Sequence, residues 1–526
     1  MNNPIAITRI ALATGFGDDT EETWRRVLDG ESAVRATDRF SGAQVSQLDG
    51  DDVLRRLAGR IAGRDLPGNT GVVIGTNGAA EEAWLTGKPY AAPDAVAGML
   101  GIRGPRMVFG TGCIAGTNAF CYAVDVLRSG QADAMVVVGV DLLTLTTMAT
   151  FSSWRALDPA PTRPYAHSGG VNLGEGAAMV LLETQPREED VIAYVRGYGL
   201  TADAFHVTSP PPDGDGLLRA MRIALEDAGV TPDAVDYVNG HGTGTPANDT
   251  AELAALRSLF GTEAPPVSSS KPQVGHTLGA AGVVEVALTA LAIRDQVLPP
   301  TGNVGAVDAA ALDWDIVPNR SREARIDLAM SNSLAFGGAN GVVVLGRAPG
   351  TSVAGSGDRQ VESRGTATVT DLDEAWLLTP PAYRGRLDEL GLLTMAAGQA
   401  AWRDAGDTAP DPARVGVVLV TAGGPVATME ELHTARERNE LHLVSPVTAP
   451  NVVSSVTAGY FSQALGLKGP LSAITSGPSA TERDAVEYAT GLIRQGRADG
   501  MVVIAADEDA TGASARVLVG GSSCTS

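Results

Sequence analysis

Cysteine is scarce in this 526-residue chain: Cys113, Cys121 and Cys524 are all it has, and no two form a C-x-x-C pair. A disulfide framework and a thiolate zinc site are both excluded, and a reducing compartment fits. Positive charge is short as well. Lys plus Arg number 39 against 61 Asp plus Glu, a net charge of −22, which argues against a general nucleic-acid or anionic-membrane surface. No apolar run is long enough to cross a bilayer, because the richest stretch, Ala280 to Ile293, is interrupted by Glu285. The N-terminus has no cationic start followed by an apolar segment, so the expectation is a cytoplasmic protein without membrane or nucleic-acid partners. What is present is a globular composition, 44% apolar and 19% charged, ample for a large core.

Short β-branched runs alternate with Ala-rich helical patterns, as in Gly71 to Ile74, Cys113 to Arg128 and Met135 to Val138. This rhythm predicts an α/β fold with buried strands. Residues 349–366 have no periodicity and are rich in Gly, Ser and charge, so they predict an exposed connector between residues 1–348 and 367–526. The second part repeats pieces of the first. LGIRGP at Leu100 to Pro105 recurs as LGLKGP at Leu465 to Pro470, and GQADAMVVV at Gly130 recurs as GRADGMVVI at Gly496, at offsets of 365 and 366 residues. GRIAGRD from Gly59 likewise matches GQAAWRD from Gly398. Nothing after residue 518 copies Val191 to Gly346, which makes the second copy half a unit.

Four segments carry candidate chemistry. Cys113, in VFGTGCIAGTNAF, follows a short β-run and two glycines and precedes a small-residue helix; unpaired N–H groups and the helix dipole there favour a thiolate nucleophile, against the alternative of a buried structural Cys. Cys121, inside the helix, reads as core. His241 lies in a Gly-rich loop, NGHGTGTPANDTAE, just after a strand-like run, and is placed either for a ligand or as a turn residue. His276, in KPQVGHTLGAAGVVE, comes with Lys271 before it and Glu285 after it, so one segment offers an imidazole, a cation and an anion. His167, His206, His433 and His442 have no such setting and read as solvated. In NSLAFGGAN, Phe336 precedes Gly337 and Gly338, a turn that can aim a backbone N–H into a cleft or simply join two strands.

Together and in this order, TGCIAG, NGHGTGTPANDTAE, KPQVGHTLGAAG and AFGGAN resemble the β-ketoacyl synthase family of fatty-acid and polyketide biosynthesis, in the thiolase superfamily. The likeness covers about residues 5–347. It implies a thiolase-like layered αβαβα fold, with a further half thiolase-like unit at the C-terminus. It implies that Cys113 is the acylated nucleophile, that His241 and His276 complete a Cys-His-His site, and that Glu285 supports Lys271. Phe336 becomes the gating residue, whose N–H joins that of Cys113 in an oxyanion hole beside Gly337 and Gly338. The implied reaction is decarboxylative condensation with a malonyl-type extender. No metal and no resident cofactor are expected, because phosphopantetheine arrives on an acyl carrier protein. Non-decarboxylative acyl transfer through the same Cys is the alternative, and a non-catalytic chain-length-factor-like role is a third. The partners expected are the carrier protein, docked through local Arg residues, and a second ketosynthase-type surface, in a homodimer or a pseudo-dimer made with the C-terminal half-copy.

Departures from the family pattern are expected to act near the pocket mouth: Ala166 where Asp is usual, and Ala339 where Thr is usual. The first copy also has only 33 residues between Gly71 and Gly104, against 53 between Gly416 and Gly469 in the second. In the second copy Pro478 or Ser479 falls opposite Cys113, so that half carries no nucleophile.

Overall fold

The computed structural model describes residues 3–521 except 41, 49–51, 63–65, 79–92, 167, 306–313, 351–358, 439, 441–442, 476–480 and 508–511. Strands β1 (Ile5–Ala13), β2 (Thr70–Gly75), β3 (Arg106–Phe109), β4 (Ala134–Asp141) and β5 (Gly176–Glu183) form the first part of one sheet. It continues through β6 (Ala193–Ala202), β7 (Tyr237–Asn239), β8 (Val267–Ser268), β9 (Leu328–Ala335) and β10 (Ala339–Gly346). The C-terminal part supplies β11 (Val361–Val369), β12 (Val415–Thr421), β13 (Leu471–Thr475), β14 (Gly500–Asp507) and β15 (Gly512–Gly520). β2 and β4 are buried along their whole length, which is why they read as continuous apolar runs and not as alternating ones.

The helices are α1 (Thr20–Leu28), α2 (Val53–Ile61), α3 (Pro93–Leu100), α4 (Ala115–Arg128), α5 (Leu145–Ser153), α6 (Asp215–Ala228), α7 (Pro246–Phe260) and α8 (Ala281–Asp295). Beyond the connector come α9 (Leu372–Leu378), α10 (Glu389–Ala405), α11 (Val426–Glu437), α12 (Ser454–Leu465) and α13 (Glu482–Arg494). α4 and α8 touch β4 on one side and β10 on the other, while α2 covers β1 and β5, and α6 covers β6 and β10. The result is the five-layered α/β architecture expected, with α8 buried on every side from Ala281 to Ile293. That burial explains why its sequence is apolar all round.

The strand order is symmetrical about one contact. β2 lies between β4 and β3 in parallel, β4 pairs antiparallel with β5, and β5 with β1. In the same pattern β12 lies between β14 and β13, β14 pairs with β15, and β15 with β11. The two sets meet where β3 pairs antiparallel with β13 at Phe109 and Ile474. The second set has no counterpart of β6 to β10 among the described residues, and β11 is an open edge.

Around this seam the side chains interlock. The Gly110 N–H donates to the Ala473 carbonyl at 2.9 Å, and Asn118 donates to the Ser472 hydroxyl at 2.9 Å. Tyr488 packs edge-on against Phe109 at 5.2 Å. Below them lies a buried charge cluster: Arg497, from the turn after α13, reaches Asp227 at 2.8 Å and stacks on Tyr198 at 4.1 Å, and Arg128 reaches the same carboxylate at 3.0 Å. Burial alone would raise the Asp227 carboxyl, but the two guanidiniums hold it below its usual range.

The connector is shorter than the 349–366 expected. Residues 361–366 belong to β11, which pairs along its length with β15. Glu362, Ser363, Arg364 and Thr366 are exposed on this edge strand, so it lacks an apolar signature, and its charges discourage further pairing. Pro478 and Ser479, expected opposite Cys113, lie outside the described residues.

The seam generates a stability prediction. Asp227→Ala would leave Arg128 and Arg497 buried without their carboxylate, a loss of about 3–5 kcal/mol. Urea unfolding of the full chain measures it. A change below about 1 kcal/mol would mean that the cluster does not hold the two parts together.

Candidate active site

Four distant segments contribute residues to one cavity of about 380 Å³, which is lined by Cys113, His241, His276, Phe336 and Gly338. Cys113 sits in a single helical turn, Gly112–Ile114, that runs into α4. Gly112 has φ +58°, a conformation that a side chain would strain, and this turns the chain from the end of β3 so that the thiol meets the helix start. The expected position at a helix N-terminus is therefore found. The expected thiolate is not. Burial pushes the Cys113 thiol up to about 12, and the cation of Lys271 offsets this only in part.

His241 follows β7 in the glycine-rich loop. Glu252, on α7, accepts the backbone N–H groups of His241 and Gly242, each at 2.8 Å, and the Tyr165 hydroxyl at 3.0 Å. Glu252 thus pins the loop from behind. Lys271, fully buried at the start of a short helical turn (Lys271–Val274), donates to the His241 carbonyl at 2.5 Å and pairs with Glu285 of α8. Its Nζ also stands 3.4 Å from His241 Nδ1. An ammonium can only donate, so Nδ1 accepts and the ring proton belongs on Nε2. The His241 and His276 rings lie 5.5 Å apart at 88°. Burial lowers both imidazoles well below their usual range, with Lys271 adding to the effect, so both are neutral at pH 7. Burial raises Glu285 to about 7 despite its lysine partner.

Phe336 follows β9, its ring 4.6 Å from Trp154 and 5.7 Å from Phe151. The three rings share an apolar cluster with Cys113, which is only 5% exposed. Lys271, Glu285 and Gly337 do not line the cavity: the first two lie behind His241, and Gly337 backs onto Ser455. Ala166 and Ala339, expected near the mouth, are both buried in apolar packing and do not line the cavity, Ala339 directly following the lining residue Gly338. Among the described residues no group of His, Cys, Asp or Glu is arranged to hold a metal ion.

The sequence reading missed several residues. His206, read as solvated, is exposed but stands on the cavity rim, its Nδ1 accepting the Thr208 N–H at 3.2 Å. His433 is half-buried, with Nε2 3.1 Å from the Thr146 hydroxyl. His167 and His442 lie outside the described residues. Asp203, a lining residue that burial raises to about 7, holds the Asn340 side chain at 2.8 Å. Asp141 accepts the N–H groups of Gly78 and Gly279 next to the thiol, and burial raises it to about 6. A carboxylate at the end of an apolar strand, as Asp141 is, and an acid closing the His241 motif, as Glu252 is, were both visible signals.

Comparison with known proteins matches this geometry. The model of the β-ketoacyl synthase N-terminal domain matches residues 51–187 and 350–521, and that of the C-terminal domain matches residues 192–305. A 3-oxoacyl-[acyl-carrier-protein] synthase 2 of Coxiella burnetii is 33% identical over 408 residues, covering 65% of this chain and 98% of the relative. The solved ishigamide ketosynthase/chain length factor is 27% identical with a TM-score of 0.57, over 66% of this chain and 99% of that one. A structure described as PfaC keto synthase-chain length factor shares the fold over 99% of this chain and 79% of its own, with a TM-score of 0.78 at 16% identity. The chain belongs to the β-ketoacyl synthase family.

Proposed function

We propose that this protein condenses an acyl group held on Cys113 with a malonyl-type extender, both delivered by an acyl carrier protein. The observation that carries the reading is the convergence of Cys113, His241 and His276 on one cavity from three separate segments. The carrier relationship is supported by the name of the Coxiella relative, a synthase acting on acyl-carrier-protein substrates. Arg155, exposed on the rim, is a cation suited to an acidic carrier.

In the first half-reaction the Cys113 sulfur attacks the acyl thioester, losing its proton as the bond forms. The helix start and Lys271 offset the developing negative charge, which burial otherwise disfavours. The carrier thiol leaves. In the second, the bond between the extender's carboxylate and its α-carbon breaks, carbon dioxide departs and the electron pair passes into an enolate. Neutral imidazoles are the right donors for its oxygen: His241, held as the Nε2–H tautomer, and His276 beside it. The α-carbon then attacks the acyl-enzyme carbonyl. The tetrahedral oxyanion lies against the backbone N–H groups of Cys113 and Phe336 and collapses by expelling the Cys113 sulfur, which takes up a proton from solvent, leaving a 3-oxoacyl group on the carrier.

The C-terminal residues form a half-copy of the ketosynthase N-terminal half, acting as a built-in partner. The mirrored strand order and the match of one family model to both parts support this reading. So does the longer stretch between Gly416 and Gly469. It contains α11 and α12; α11 packs on α5, and Pro446 enters the cavity lining. Among the described residues the second part has no counterpart of β6 to β10.

Four outcomes test this. Acyl thioester should label the Cys113 peptide in the wild type and not in Cys113→Ala. His276→Ala should still load acyl groups yet release carbon dioxide from malonyl-carrier at least about 100-fold more slowly; equal loss of both steps, read by mass spectrometry, refutes the division of labour. Because the thiol is raised to about 12, its alkylation by iodoacetamide should climb about tenfold per pH unit from 6 to 9 without a plateau. A plateau below pH 8 would show a thiolate already formed. If Pro446 is pocket wall, Pro446→Phe should shift products to shorter chains with acetyl loading unchanged, and an unchanged product profile discards that role.

A further inference from the structure

The turn that carries Phe336 is tied down from both parts of the chain. From its own part, the Gly337 N–H donates to the Val207 carbonyl at 2.7 Å, and the Asp203 N–H donates to the Gly338 carbonyl at 2.7 Å. From beyond the connector, the Ser455 hydroxyl in the first turn of α12 donates to the Phe336 carbonyl at 3.0 Å. α12 lies directly on the turn. A Cβ at Gly459 would fall 2.4 Å from the Gly337 carbonyl oxygen, and one at Gly337 would fall 2.3 Å from the Ser455 carbonyl oxygen. The same hydroxyl sits 3.0 Å from the Cβ position of Gly112, immediately before Cys113.

This arrangement governs access to the thiol. The Phe336 ring shares one apolar cluster with Cys113, Phe151 and Trp154, and Cys113 is nearly inaccessible. That ring, packed in the same cluster as the sulfur, is a barrier that an acyl chain would meet on its way in. Gly337 and Gly338, at φ +89° and +77°, are the hinge that lets the turn swing, and swinging it rotates the Phe336 carbonyl away from its donor.

We propose that Ser455 is a positioning residue for the site: its hydrogen bond holds the Phe336 turn shut, so the C-terminal part sets how often Cys113 is open to substrate. The idea rests on the proposed reading of this cavity as the acylation site. Its test does not need condensation to occur. A net hydrogen bond of this kind corresponds to a factor of about 2–12 in an opening equilibrium.

The measurement is the rate of Cys113 alkylation by iodoacetamide in the full-length protein, across pH 6–9. Ser455→Ala should raise the rate by about threefold to tenfold at every pH, leaving the pH dependence itself unchanged, since the gate and not the thiol's acidity has altered. Ser455→Thr, which keeps the hydroxyl, should restore the wild-type rate. In a Phe336→Ala background, where the gating ring is gone, Ser455→Ala should change nothing. An unchanged rate in Ser455→Ala overturns the proposal. So does an equal rise in the Phe336→Ala background, or a change that appears only as a displaced pH profile.

Discussion

Everything at this site hangs on the pairing of β3 with β13. Cys113 lies just beyond the end of β3, the outermost strand of its set, and an outermost strand exposes unpaired N–H and C=O groups beside the nucleophile. The Gly110 N–H, three residues before the thiol, is satisfied by Ala473, and the Thr111 hydroxyl receives the Ala473 N–H at 3.0 Å. The strand end that positions the nucleophile is therefore fixed from the other part of the same chain. Asn118, on the helix that follows, is held there too. A contact that organises the sheet also sets the geometry of the reaction.

Behind the cavity the constraint is electrostatic. A fully buried Lys271 pairs with Glu285, and such a pair survives only if its remaining donors are used. Lys271 spends them on the His241 carbonyl and Nδ1. The cost of burying that charge fixes the histidine's tautomer, and so its readiness to donate from Nε2. The same cation lowers both imidazoles further and partly relieves the thiol, so one ammonium acts on all three groups at once.

Much of this was legible in the sequence because the site is built from local signals. Glycines at Gly110 and Gly112, a small-residue helix start and a His in a Gly-rich loop each mark a backbone that must turn sharply or admit a ligand. The α/β class followed from β2 and β4, whose double burial writes itself as runs of Val. The misses are where the tertiary environment decides. Helix-end logic favours a Cys113 thiolate, yet complete burial outweighs it. His206 has no local pattern, and only the fold brings it to the rim. β11 escaped because an edge strand with one face in water carries polar residues like those of a connector.

The repeat explains a local irregularity that neither copy explains alone. The first copy is shorter by 20 residues between corresponding glycines, and the second retains that length as α11 and the approach to α12. Length is kept on the side that faces a cavity. α11 packs on α5, whose Phe151 lies against Phe336, and from the same stretch Pro446 lines the cavity and Ser455 donates to its turn. Among the described residues no strands β6 to β10 lie beyond β11 on the other side of the seam. Two parts with the same strand pattern thus carry different residues. One holds a thiol, two histidines and a buried lysine; the other packs on the strand end and the turn beside them.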